Sequence, residues 1–178
     1  MRSDIVDIDN TGLGFQLAVE QAKKVAVFKA LGESEAVQLQ ILTEELLSLA
    51  RSITGIANAS IWIEMEGDQA DLHLTTEAVL DKEKRAELIA SSTSRKNAAA
   101  NTVLGKLRDM FEEAMTADTI NNDPSIDVLN DLPHGIYEEP DWDGYERSIL
   151  RRLADEIKIG IQGKEVDITV SKRFGTQE

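Results

Sequence analysis

The stretch SIWIEMEGDQADLHLTT (60–76) decides the fold. Ile61, Ile63 and Met65 alternate with Trp62 and Glu64, and Leu72, Leu74 and Thr76 alternate with His73 and Thr75. A period of two sends successive side chains to opposite faces, so each half reads as a strand with one apolar face. EGDQ (66–69) lies between the halves and supplies a turn glycine, which makes the stretch a β-hairpin. The pattern returns near the end of the chain. IKIGI (157–161), QGKE (162–165) and VDITVSK (166–172) form a second hairpin, with Ile157, Ile159 and Ile161 on one side, as are Val166, Ile168 and Val170.

Outward from the hairpins the period changes to that of a helix. From Phe15 to Leu31 an apolar stripe runs through Phe15, Val19, Ala22, Ala26 and Ala30, with Gly32 at the C-cap position. A second helix spans Glu35 to Thr54. Within it ILTEELLSLARSITG (41–55) places Leu42, Leu46, Leu49 and Ile53 on a buried stripe, Leu39 just before them, and Glu44, Ser48 and Ser52 on another stripe. Asp81 can cap a helix that ends near Ala90. SSTSRKNAAAN (91–101) is poor in large side chains and reads as a connector or as the start of the next helix, whose stripe is Val103, Leu107, Met110, Phe111 and Ala114. Tyr145 to Asp155 is a last helix that buries Ile149, Leu150 and Leu153, and SDIVDID opens the chain with a short strand. The order predicts an α+β fold: a two-layer α/β sandwich with helices on one face of a mixed, mostly antiparallel sheet.

The 178 residues suit one domain, 1–178, with a proper core. Residues 117–143 stand apart, as an acidic insertion that holds all three prolines and no Lys or Arg. Ile120, Leu129, Leu132, Tyr137 and Trp142 make it too apolar for a pure linker, so it reads as a segment anchored across the domain surface. Against 33 Asp and Glu there are 19 Lys and Arg, a net charge of −14. That field repels phosphate backbones, so nucleic acid is excluded as a non-specific partner. No run approaches the roughly 18 apolar residues of a membrane span, and MRSDIVDIDN has no leader-like apolar core, so the expected location is cytoplasmic. Cysteine is absent, which removes disulfides and thiolate metal sites. His73 and His134 are isolated from one another and from any metal-binding pattern, and no metal site is expected.

Three places give the chain a resemblance to a known family. They are the helix ending LTEELLSLARSITG, the hairpin SIWIEMEGDQADLHLTTEAVLD directly after it, and the closing run SILRRLADEIKIGIQGKEVDITVSKRF. Together with the element order they resemble the anti-sigma factor serine-protein kinases. These are small bacterial members of the histidine-kinase-like ATPases with the GHKL, or Bergerat, fold. The resemblance covers most of the chain, with 117–143 as an insertion.

What the resemblance implies for a nucleotide site is altered at every motif. The family carries a catalytic Glu and, four residues on, an Asn that binds magnesium; here Glu44 and Ser48 fall at those positions. The family's adenine-binding Asp and the Gly that follows it correspond to Thr76 and Ala78. A glycine-rich phosphate turn before the last helix has no counterpart in DWDGYERSILRR, which has Gly144 alone. Arg95 and Lys96 lie where the family has its lid over the nucleotide. The bland reading of Glu44, Ser48 and Ser52 is a solvated helix stripe.

The resemblance therefore implies a cytoplasmic bacterial regulatory protein that binds another protein and turns over no ATP, with no cofactor. Sigma factors and anti-anti-sigma regulators are the family's partners, and dimers are common in it, so a homodimer is open here. The alternative is an ATP-binding serine-protein kinase that uses Mg-ATP, with Glu44 catalytic and Ser48 on the metal. A pocket recruited for another small ligand is a third reading.

Overall fold

The computed structural model describes residues 1–9, 12–54, 59–100 and 149–175. The elements run β1 (Val6–Ile8), α1 (Leu13–Phe28), α2 (Glu33–Thr54), β2 (Ala59–Glu66), β3 (Gln69–Glu77), α3 (Lys82–Ser91), a 3-10 turn (Ala98–Ala100), β4 (Glu156–Gln162) and β5 (Glu165–Arg173). Residues 149–153 are helical as well. The expected stripe of Val103 to Ala114 and the acidic insertion 117–143 lie outside the described residues.

The strands form one sheet in the order β1-β2-β3-β5-β4. Every pairing between these strands is antiparallel. Among the described residues the parallel element reduces to a single bridge, Asn97 with Ile159. Both hairpins take the register their turns dictate. Gly67 has a left-handed φ of 59°, which a two-residue turn on a twisted hairpin needs, and the register runs from Glu66↔Gln69 up to Ala59↔Thr76.

One face of the sheet is apolar and covered. Ile61, Ile63, Met65, Leu72, Leu74, Val166, Ile168, Val170, Ile157, Ile159 and Ile161 are all buried there. Leu39, Leu42, Leu46 and Leu49 of α2 complete the core with Ala18, Ala22 and Val25 of α1. Apolar alternation on the strands and apolar recurrence on the helices thus meet in one two-layer core. The other face carries the polar partners of each alternation and stays partly open.

Helix ends shift by about two residues at several places, and the α1–α2 connection differs in kind from the sequence reading. Gly32 does not terminate α1. Lys29 is its C-cap, Ala30 takes the left-handed φ of 51°, and the Gly32 amide instead donates to Glu35 Oε2 at 2.9 Å as α2 begins. The reason lies in the connection: α1 and α2 are joined so tightly that Gly32 already serves the next helix. Ala30 is exposed rather than part of the buried stripe, which runs through Gly14, Ala18, Ala22, Val25 and Ala26. Asp81 caps α3 as expected, Oδ1 accepting from the Lys84 amide at 2.7 Å.

Both outer strands of the sheet are shielded. At β4, residues 92–97 run alongside as a strap: the Ile157 amide donates to Thr93 Oγ1 (2.8 Å) and the Thr93 amide to the Ile157 carbonyl (2.9 Å). At β1, α1 backs onto the strand through Gly14. A Cβ there would collide with the Asp7 carbonyl oxygen and lie 3.0 Å from Ile8 Cα. Covering an edge in this way removes a template for unwanted strand pairing. Among the described residues no helix is long and apolar enough to cross a membrane.

Candidate functional site

The helical period of α2 sets Glu44 and Ser48 one turn apart. Glu44 is exposed and Ser48 half-buried, while Thr43 beside them is turned inward with Oγ1 donating to the Leu39 carbonyl at 2.8 Å. Ser52, next on the same stripe, is half-buried and donates to the Leu49 carbonyl at 2.9 Å. Thr76 stands near the end of β3 on the covered face, 2% exposed, between Ala59 of β2 and Val166 of β5. Ala78 follows it, buried, and its amide donates to the Lys164 carbonyl at 2.7 Å. That bond ties the end of β3 to the turn between β4 and β5. Since α2 packs over β3, Glu44, Ser48, Thr76 and Ala78 lie on one side of the sheet.

Arg95 and Lys96 are placed differently. Both are exposed on the strap along β4, and Arg95 has a left-handed φ of 53°. Asn97 follows them and is hydrogen-bonded to Ile161, which shares a cross-strand row with Val166 and Thr76. Three strand spacings separate Asn97 from Thr76, about 14 Å. The two cations therefore flank the far edge of the sheet and do not converge on the β3 end. The strap itself is fastened to β4 through Thr93 on Ile157 and through Asn97 on Ile159 and Ile161.

The open face holds a cluster that the sequence reading passed over. Trp62 and His73 pair across β2 and β3, with ring centroids 5.0 Å apart and planes within 13°. Arg2 lies over the Trp62 ring at 4.8 Å, and its Nε is 3.5 Å from Glu64 Oε1. Glu64 also accepts from Trp62 Nε1 at 3.1 Å. On the next strand Thr169 Oγ1 lies 3.2 Å from His73 Nδ1, and His73 Nε2 is buried without a hydrogen-bond partner. Stacking and cation–π contact of this kind give a rigid polar column on an otherwise solvated sheet face. The signal was present in the sequence. A two-residue turn at 67–68 fixes the register that sets Trp62 opposite His73.

Two further features bear on chemistry. A cavity of about 10 Å³, room for one water, lies between α1, α2 and the β1–β2 pair, lined by Val6, Ala18, Thr43, Ile61 and Ile63 among others. None of Glu44, Ser48, Thr76, Ala78, Arg95 or Lys96 lines it. Among the described residues no group of three or more His, Asp or Glu is placed to hold a metal ion. No protein-family model matches this sequence, and no curated protein is detectably similar to it.

Proposed function

We propose that this chain is a bacterial, cytoplasmic regulatory protein that uses a GHKL-like scaffold, with altered nucleotide motifs, to bind another protein, and that it does not turn over ATP. Thr76 is the observation that carries this reading. At the position where the resembled family reads adenine with a carboxylate, this chain has a neutral hydroxyl buried in the core-facing row of the sheet. Two neighbours support it. The Ala78 amide, where the backbone should lie bare to a base, is committed to Lys164. Ser48 offers magnesium a short hydroxyl in place of a longer carbonyl arm. Arg95 and Lys96, the cations that would cover phosphates, stand at the β4 edge. A scaffold of this kind retains its framework when its site chemistry is lost, because activity resides in the site. A sigma factor or an anti-anti-sigma-like regulator is the partner class that the resemblance suggests.

The test is turnover. The purified chain is incubated with Mg-ATP, and phosphate release and phosphate transfer to protein are followed beside a Glu44→Ala variant. Both proteins should stay at the background rate. Turnover by the wild type that disappears in Glu44→Ala would replace this reading with the serine-protein kinase.

A further inference from the structure

The sheet face turned away from the helices combines a stacked aromatic pair with carboxylates set against one another. Trp62 and His73 stack across β2 and β3, and Arg2 lies over the indole with its Nε 3.5 Å from Glu64 Oε1. His73 Nε2, buried on the middle strand of this face, has no hydrogen-bond partner. The same two strands set Glu64 directly opposite Asp71, and β3 and β5 set Glu77 opposite Glu165. Like charges opposite one another in a sheet are destabilising. Asp7 and Asp167, both exposed, extend the negative field to either side. Among the described residues, Asp7, Asp71 and Asp167 accept from neutral groups: Ser60 Oγ, Gln69 Nε2 and Thr75 Oγ1. The cations on this face are already engaged, Arg2 with Glu64, Lys158 with Glu156 and Arg173 with Asp68. The face is therefore left with uncompensated charge of one sign around an aromatic centre.

We propose that this face docks an arginine-rich segment of a partner protein. Arg2 displays the contact within the chain itself: a guanidinium over an indole, with a carboxylate at ion-pair distance. Arginine suits both halves of that contact, because its planar cation stacks on aromatic rings and its donors fork onto carboxylates. Opposite residues on neighbouring strands are about 5 Å apart, so one guanidinium can reach both Glu64 and Asp71, or both Glu77 and Glu165. A cation placed so turns the repulsion within each pair into attraction on both sides. Charge also selects against the other occupants. A second copy of the chain, face to face, would set carboxylates on carboxylates. Residues 117–143 have no Lys or Arg to offer. The proposal rests on the protein-binding reading above, and adds to it the surface and the chemistry of the partner.

Calorimetric titration of the whole chain with an arginine-rich synthetic peptide, in low salt and without nucleotide, tests it. The wild type should bind, and its affinity should fall as salt is added. Asp71→Asn combined with Asp167→Asn should weaken binding about tenfold or more. Glu20→Gln combined with Glu83→Gln removes the same charge from exposed helix positions and should leave binding within about twofold. The asparagines keep an acceptor oxygen and remove a like-charge contact, so that variant should unfold no lower than the wild type, which excludes misfolding as the cause. A lysine twin of the peptide should bind more weakly, since it lacks the fork and the stack. A peptide that does not bind overturns the proposal. So do equal responses to the two pairs of substitutions, or equal affinity for the lysine twin. The protein-binding reading survives those results, because its own test is ATP turnover.

Discussion

Asn97 closes both backbone groups of Ile161: its Nδ2 donates to the Ile161 carbonyl at 2.9 Å, and its Oδ1 accepts from the Ile161 amide at 2.8 Å. One side chain thereby does for the β4 edge what a neighbouring strand would do. Replacing it by Ala leaves a buried donor and acceptor without partners, at a cost of about 1–3 kcal/mol. Asn97→Ala should lower the unfolding temperature by roughly 3–10 °C. The Ile161 amide should also lose protection in hydrogen exchange while those of β3 keep theirs.

Gly14 is the point where α1 meets β1. The atoms that a Cβ would strike, the Asp7 carbonyl and Ile8 Cα, are both backbone and cannot swing aside. Gly14→Ala should therefore destabilise the chain by about 1–3 kcal/mol, although alanine favours helix. A denaturant titration checks this, and a stability gain would show that α1 does not rest on β1 this closely.

Asp155 joins the last helix to β5. Its Oδ2 accepts from the Arg173 amide at 2.7 Å and its Oδ1 from Lys172 Nζ at 3.1 Å. The Arg173 amide does most to hold the carboxyl below its ordinary 3.8, desolvation opposes it, and Lys172 and the Arg173 charge assist. A depressed folded value means stability that is present above 3.8 and is lost as pH falls through the lowered value. Asp155→Asn should thus be less stable than the wild type at neutral pH, by a small margin since the side chain is half-exposed. The gap should close below pH 3.8. Paired melts across pH 2–7 would read this directly, and a gap that widens in acid would refute it.

The architecture was readable where a period alone defines an element. The two hairpins and α2 carry strict spacing over long runs, so their faces followed directly from Ile61, Leu72, Leu42 and their companions. Gly32 misled because a glycine after an apolar stripe can belong to either of two helices, and only the tightness of the α1–α2 connection assigns it to the second. The strap was not readable. Thr93 and Asn97 acquire their roles from Ile157 and Ile161, more than sixty positions along the chain, and no local period encodes such a contact. The order β3-β5-β4 is likewise a product of tertiary packing. Of the candidate site, the placement of Thr76 on the covered face followed from strand parity. The separation of Arg95 and Lys96 from it did not, because that depends on which strand the connector borders. The Trp62–His73 pair follows from register, and each residue taken alone shows only that it lies on the side of its strand opposite the apolar row.

The most direct measurement is thermal unfolding with and without millimolar Mg-ATP, repeated with ADP. A ligand present at about a hundred times its dissociation constant stabilises by about 2.7 kcal/mol. In a domain of this size that raises the unfolding temperature by roughly 5–10 °C. A protein whose Thr76, Ala78 and Ser48 no longer form a nucleotide site should show no shift with either nucleotide. A shift of that size, abolished by Glu44→Ala, would contradict the proposed function and make the Glu44, Ser48 and Thr76 positions part of a working ATP site.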